Sequence, residues 1–177
     1  SAEAHAYSEF LKTAGIERGL IGPREAERIW ERHILNCIPV STLMKVGASV
    51  IDIGSGAGLP GVVIALARPD LKVTLLEPLQ RRVNFLEEAV AGLGISVKRS
   101  KSEAEKGQYD YVTARAVAPL SKLWAISKHL IKPGGSLLAM KGEAAQAEAA
   151  EIPGAIVHEI TLEGIPLARV VEVKRKS

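Results

Sequence analysis

The spacing of apolar residues changes at about residue 47. Before that point, Ile29, Ile34 and Cys37 recur at helical spacing and mark one buried helix face. Beyond it, short apolar runs alternate with helical segments, and Gly or Pro residues separate them. The predicted strands are Ser49–Ile53, Lys72–Glu77, Ile95–Arg99, Tyr109–Ala114, Ser136–Met140, Ala155–Thr161 and Leu167–Lys174. One predicted helix begins at Pro23 and ends at Pro39. The other predicted helices cover Pro60–Arg68, Leu79–Ala91, Pro119–Leu130 and Glu143–Glu151.

This alternation predicts an α/β fold with a mostly parallel, seven-stranded sheet and helices on both faces. The last two strands are joined only by Leu162–Pro166, which is too short for a parallel crossover, so they should form an antiparallel hairpin. We expect residues 1–46 to form an N-terminal helical extension and residues 47–177 to form the sheet domain. The two segments together should make one compact unit.

Composition narrows the class of protein. Hydrophobic residues make up 47% and charged residues 24%, as in soluble globular proteins. No stretch approaches the ~20 apolar residues of a membrane span. The single cysteine, Cys37, excludes an internal disulfide and a Cys-rich metal site, and a reducing cytoplasm is the simplest location. We also expect a monomer without a metal site. The net charge of +3 permits a nucleic-acid partner without requiring one.

A glycine-rich loop follows the first strand, with glycines at 54, 56, 58 and 61. In open α/β sheets, ligands bind beyond the carboxyl ends of the strands. One frame, from Gly56 to Gly61 with Glu77 further on, matches the dinucleotide fingerprint. The other, Asp-x-Gly-x-Gly-x-Gly from Asp52, resembles motif I of class I methyltransferases that use S-adenosylmethionine. S-adenosylmethionine has no pyrophosphate, which suits a loop in which Pro60 lacks an N–H. A glycine-rich turn that binds no ligand is the third possibility.

The predicted cofactor contacts follow from this loop and from the strand after it. Glu77 ends the second strand and is placed to accept hydrogen bonds from ribose hydroxyls. The loop residues concerned are Asp52, Gly54, Gly56, Gly58 and Leu59.

Five sequence blocks, in order along nearly the whole chain, resemble one family closely. The blocks are Gly19–Glu25, Trp30–Cys37, Asp52–Gly61, Thr113–Leu120 and Ala139–Gly142. They resemble the small-subunit ribosomal RNA methyltransferase G family, also called glucose-inhibited division protein B, in its actinobacterial form. The resemblance implies a class I methyltransferase (Rossmann-like) fold and S-adenosylmethionine as cofactor. It also implies methylation of guanine N7 in small-subunit ribosomal RNA, with that RNA or the 30S subunit as partner.

The same resemblance implies roles for individual residues. Ser102 and Glu103 match a pair beside the adenine, and Lys101 stands where an arginine is common. Arg115 matches an arginine that contacts cofactor or substrate, and Arg169 resembles a C-terminal arginine of the family. The predicted RNA contacts are Arg32, Lys101, Lys141 and Arg169. Arg32 belongs to an arginine series spaced four residues apart, for which a solvated, salt-bridged helix face is the alternative.

Guanine N7 carries a lone pair and no proton, so we name no general base and assign Arg115 to positioning. His33 either orients the N-terminal helices against the glycine loop or is a satisfied core histidine. Two other functions stay open from the sequence. One is a nicotinamide-dependent oxidoreductase, and the other is a non-catalytic RNA-binding assembly factor with the same fold.

Overall fold

A computed structural model describes all residues from 1 to 177, and its centre is one seven-stranded sheet in the order β3-β2-β1-β4-β5-β7-β6. The strands β1 to β5 pair in parallel, and β7 runs antiparallel to both β5 and β6. The predicted sheet and the predicted terminal hairpin are thereby confirmed. The strands are β1 (Ser49–Ile53), β2 (Lys72–Glu77), β3 (Ser96–Arg99), β4 (Tyr109–Arg115), β5 (Ile131–Met140), β6 (Ile156–Leu162) and β7 (Ile165–Lys174).

Helices cover both faces of the sheet and form two separate cores. The α-helices are α1 (Ala2–Phe10), α2 (Ile38–Ser41), α3 (Gly61–Ala67), α4 (Gln80–Ala89), α5 (Leu120–Ser127) and α6 (Ala145–Ala149). On one face, Tyr7 and Leu11 of the N-terminal region share a core with Phe85 of α4. On the other face, Leu123 of α5 packs in a core with Ala149 of α6. None of the helices combines the length and the apolar character needed to cross a membrane.

The helical region after residue 22 differs from the single helix that the sequence predicts. A 3₁₀ helix (Pro23–Arg28) is followed by a π-helical segment (Ile29–Ile34) and a 3₁₀ turn (Leu35–Cys37). Apolar spacing does not distinguish these forms, because each of them also returns a side chain to one face after three to five residues. The predicted end at Pro39 is wrong, because this proline lies in the first turn of α2, where no N–H is needed.

Two boundaries near the C-terminus also differ. Strand β5 begins at Ile131, five residues before the predicted Ser136, and includes the Pro-Gly-Gly sequence. Backbone hydrogen bonds between that sequence and Arg175 extend the ladder through it. The helix predicted over Glu143–Glu151 shortens to α6, which a 3₁₀ turn (Gly142–Ala144) precedes. Because β1, β2 and β4 are parallel, their carboxyl ends meet at one edge of the sheet, where the glycine loop lies.

Candidate active site

Asp52 supports the glycine loop from below. Its side chain is fully buried, and one carboxylate oxygen accepts hydrogen bonds from the Ser55 hydroxyl (2.7 Å) and the Gly61 N–H (3.0 Å). The other oxygen accepts the Thr113 hydroxyl of β4 at 2.8 Å. The structure therefore gives Asp52 a role in holding the loop, β1 and β4 together, in place of the cofactor contact that the sequence predicts.

Burial raises the pKa of the Asp52 carboxyl to about 6, although its three hydrogen-bond donors and Arg115 act in the opposite direction. Between the usual aspartate pKa of 3.8 and this value, the folded state holds a proton that the unfolded state has released. This contribution to stability is complete below the unfolded pKa and is lost as the pH rises through about 6.

We therefore expect the free energy of unfolding of the wild type, relative to that of Asp52→Asn, to fall as the pH rises from 3.8 to about 6. The fall should reach up to about 3 kcal/mol. Urea titrations at several pH values measure it. Asp70→Asn is the control, because Arg68 holds the pKa of Asp70 below its usual range and its effect belongs to lower pH. A pH-independent difference between wild type and Asp52→Asn would contradict the assignment.

Two further side chains tie the loop to its surroundings. Glu77 at the end of β2 is buried, and its two oxygens accept the N–H groups of Gly56 and Leu79, each at 2.9 Å. The Tyr7 hydroxyl of α1 donates to the Ala57 carbonyl at 2.6 Å. Glu77 thus holds the loop at the carboxyl edge of the sheet. Its predicted contact with ribose hydroxyls would form at the same edge. The sequence gives no signal for this role of Tyr7, because no local pattern connects α1 with a loop 50 residues away.

A cavity of about 280 Å³ opens above the loop. Four of the predicted residues line it, namely Gly54, Gly56, Leu59 and Arg115. The N-terminal helical region supplies the opposite wall, which includes Glu25 and His33. Gly58 has no place in this lining, because it is buried beneath the loop, where a Cβ would meet Val62 and Tyr7. The N-terminal region is therefore part of the site.

A second cavity, of about 230 Å³, lies on the other side of Gly54. Its polar wall contains the predicted residues Lys101, Ser102 and Glu103, and its apolar wall contains Ile53, Pro78, Val117 and Ile126. Val117 packs so closely on Gly54 that a Cβ there would lie 3.0 Å from it. Ala116, beside it, has φ of +53°, a strained conformation for a residue with a side chain.

Gly54 lines both cavities, which together make up the candidate cofactor cleft. The apolar residues of the second cavity, together with the Glu103 carboxylate and the Ser102 hydroxyl, suit an adenosine. The cavity above the glycine loop suits the amino-acid end of S-adenosylmethionine. A dinucleotide would place its pyrophosphate on free N–H groups at the start of α3. Here Pro60 has no N–H and Asp52 already occupies that of Gly61. The residues present therefore fit S-adenosylmethionine and leave no phosphate site.

A third pocket adjoins the first, and Arg115 lines both. It also contains Asn36 and the predicted RNA contact Arg169, whose guanidinium donates to Glu159 at 3.1 Å. Arg115 is half-buried, and its Nη1 lies 3.2 Å from Nδ1 of His33.

The other predicted RNA contacts are placed differently. Lys141 borders this third pocket, but its ammonium donates to the Ala118 carbonyl at 2.7 Å and pairs with Glu148 at 3.2 Å, so it holds the loop after β4. Lys101 belongs to the second cavity. Arg32 is exposed beside His33. Because Arg24 and Arg28 lie in a 3₁₀ helix and Arg32 in a π-helical segment, the three do not share one face as they would in the predicted α-helix.

The fold and the cleft define a class I methyltransferase. Solved structures that resemble the chain include a protein described as a predicted O-methyltransferase from Agrobacterium tumefaciens (TM-score 0.61, 16% identity, 78% of this chain and 79% of that chain). Another is an S-adenosylmethionine-dependent O-methyltransferase from Thermotoga maritima (TM-score 0.57, 19% identity, 86% and 70% of the two chains). At these identities the likeness concerns the fold alone.

A family model described as rRNA small subunit methyltransferase G matches residues 1–174, and the chain belongs to this family. The protein of that name from Thermobifida fusca is 52% identical over 175 residues, which are 96% of this chain and 72% of that protein. The one from Acidothermus cellulolyticus is 56% identical over 139 residues, 77% and 63% of the two chains. Across the similar curated proteins, the chain spans between 60% and 72% of their length.

Family membership confirms the predicted class of enzyme and its cofactor. The protein is an S-adenosylmethionine-dependent methyltransferase, and the nicotinamide-dependent alternative is wrong. The resemblance of the five sequence blocks to the small-subunit ribosomal RNA methyltransferase G family is confirmed as well.

Proposed function

We propose that this protein transfers the methyl group of S-adenosylmethionine to N7 of a guanine in small-subunit ribosomal RNA. One observation supports this most directly. Arg115 lies between the cofactor cleft and the pocket that contains Arg169, and the histidine beside it has its Nδ1 directed at that guanidinium. The junction therefore offers hydrogen-bond donors to a base or phosphate, and the neighbouring imidazole is engaged with the protein itself.

The chemistry of N7 suits such a junction. The cofactor supplies an electrophilic methyl group on a sulfonium. Guanine N7 has a free lone pair, so no proton needs to be removed before it attacks, whereas an amine or hydroxyl loses a proton during the transfer. In this cleft, His33 is engaged with Arg115 on one nitrogen and with Glu25 on the other. The side chains then have only to hold the nucleoside in line with the methyl group.

The RNA substrate is supported by the relatives and by charge. The similar curated proteins are named ribosomal RNA small subunit methyltransferase G. The chain carries a net charge of +3, and Arg115 and Arg169 line the pocket next to the cleft. Guanidinium groups bind phosphate and base edges through paired donors.

The test is methyl transfer from S-adenosylmethionine labelled in its methyl group. Naked small-subunit RNA and whole 30S subunits are offered separately, and the labelled base is identified by nuclease digestion and mass spectrometry. We expect 7-methylguanosine at one position. Label in an exocyclic amine would contradict the N7 assignment. RNA binding without any transfer would contradict the proposed reaction.

Phosphate contacts should make this reaction sensitive to salt. We expect Arg169→Ala to raise the KM for RNA and to flatten the slope of log(kcat/KM) against log[salt] by about one unit. Lys72→Ala is the control, because this exposed lysine begins β2 at the opposite edge of the sheet. Equal slopes for Arg169→Ala and the wild type would show that Arg169 does not contact an RNA phosphate.

A further inference from the structure

Three side chains from separate parts of the chain form a line across the cleft wall. Nε2 of His33 lies 3.2 Å from a carboxylate oxygen of Glu25, and its Nδ1 lies 3.2 Å from Nη1 of Arg115. Glu25 comes from the 3₁₀ helix, His33 from the π-helical segment, and Arg115 from the end of β4. The side chain of His33 is only 18% exposed, so water competes little for its two nitrogens.

The partners determine where the imidazole proton lies. A guanidinium has donors only, so Nδ1 must be the acceptor of the Arg115 hydrogen bond. The proton is therefore on Nε2, from which it is donated to Glu25. A neutral His33 satisfies both neighbours at once, and only the tautomer protonated on Nε2 does so.

We propose that neutral His33 is a positioning residue that accepts a hydrogen bond from Arg115 and so aims this guanidinium at the junction between the cofactor cleft and the Arg169 pocket. The proposal rests on the role given to Arg115 under the proposed function. Arg115 has several rotatable bonds, and a fixed acceptor at one nitrogen restricts the directions of the remaining donors.

The arrangement depends on the charge of His33. A doubly protonated imidazole has no lone pair, so it would present a donor to a donor and a cation to a cation, and Arg115 would be released. The charged groups around His33 are Glu25, Arg32 on its own segment and Arg115. Burial is the largest influence and lowers the pKa of His33, and Arg115 lowers it too, whereas Glu25 raises it. His33 is therefore neutral at neutral pH and becomes charged only in acid.

The contact can be tested without cofactor or RNA by NMR titration of the histidines in the full chain. Arg115→Met removes a cation and should raise the pKa of His33, whereas Glu25→Gln removes an anion and should lower it. His158, which pairs with Glu172 at 2.8 Å in the terminal hairpin, is the internal control and should not shift in either variant. An unchanged His33 pKa in Arg115→Met, or a wild-type imidazole protonated on Nδ1, would overturn the proposal.

Turnover separates positioning from structural support. Glutamine at position 33 can accept from Arg115 and donate to Glu25 at any pH, whereas leucine can do neither. At about pH 8 we expect His33→Leu to lose about tenfold to a hundredfold in kcat, and His33→Gln to stay within about threefold of the wild type. The wild type should lose activity in acid, and His33→Gln should lack this acidic limb.

His158→Leu is the matched control and should keep the wild-type kcat. Equal losses in His33→Gln and His33→Leu, or a wild-type kcat in His33→Leu, would each overturn the positioning role. Loss of turnover in His33→Gln would also be the result expected of a general base. If the wild type transfers no methyl to RNA, the proposed function fails while the NMR titration still decides whether the His33–Arg115 contact exists.

Discussion

Valine in place of Gly56 is expected to abolish binding of S-adenosylmethionine while the chain still folds. Gly56 has φ of +59°, and a Cβ built there meets only the Gly54 carbonyl oxygen, at 3.8 Å. The added Cβ therefore meets no clash within the protein, and the substitution costs about 1–2 kcal/mol of backbone strain. The valine methyl groups would instead narrow the cleft above the loop, which Gly56 lines. Calorimetric titration with the cofactor and thermal unfolding measure the two effects.

Two glycine variants serve as controls for this result. Gly92→Val carries the same kind of strain, with φ of +77°, but nothing lies within 4 Å of its Cβ, so it should bind the cofactor normally. Gly61→Val should instead destabilise the fold, because its Cβ would lie 2.4 Å from Leu75 and 2.7 Å from the Asp52 carboxylate. Wild-type affinity in a folded Gly56→Val protein would show that the cofactor does not lie over this loop.

Arg115→Met is expected to lower kcat about a hundredfold at saturating RNA, which corresponds to about 2.7 kcal/mol of transition-state stabilisation. Methionine keeps much of the length of the side chain but removes the guanidinium at the junction between the cofactor cleft and the Arg169 pocket. Because this group is proposed to hold the nucleoside during transfer, the loss should fall on kcat more than on the KM for RNA. Single-turnover measurements with labelled cofactor separate the two.

A matched control exists outside the cleft. Arg18 donates to Glu88 on α4, so Arg18→Met removes a guanidinium and an ion pair without touching the junction, and its kcat should be unchanged. Normal turnover by Arg115→Met would refute the role of Arg115. A loss confined to the KM for RNA would make it an ordinary phosphate contact.

Local patterns were sufficient for much of this protein. Strands β1 and β2 have the predicted bounds, because each is a short apolar run between Gly, Pro or charged residues, and such runs report burial directly. The glycine loop was also predictable, since glycine adopts positive φ with little strain, as at Gly54 and Gly56. The sequence alone therefore determined the fold class and, through the family resemblance, the cofactor. It also predicted the edge of the sheet at which that cofactor should bind.

Only the tertiary structure decided what the polar side chains do there. Asp52 and Glu77 have their predicted positions, but both point inward and hold the loop. Sequence spacing places a carboxylate at the end of a strand, but it does not say which groups donate hydrogen bonds to the carboxylate oxygens. The contact between His33 and Arg115 joins residues 82 positions apart, and Tyr7 reaches the loop across 50. Such contacts depend on how helices from the N-terminal region pack over the sheet edge, and that packing arises from the whole core, so no local pattern records it.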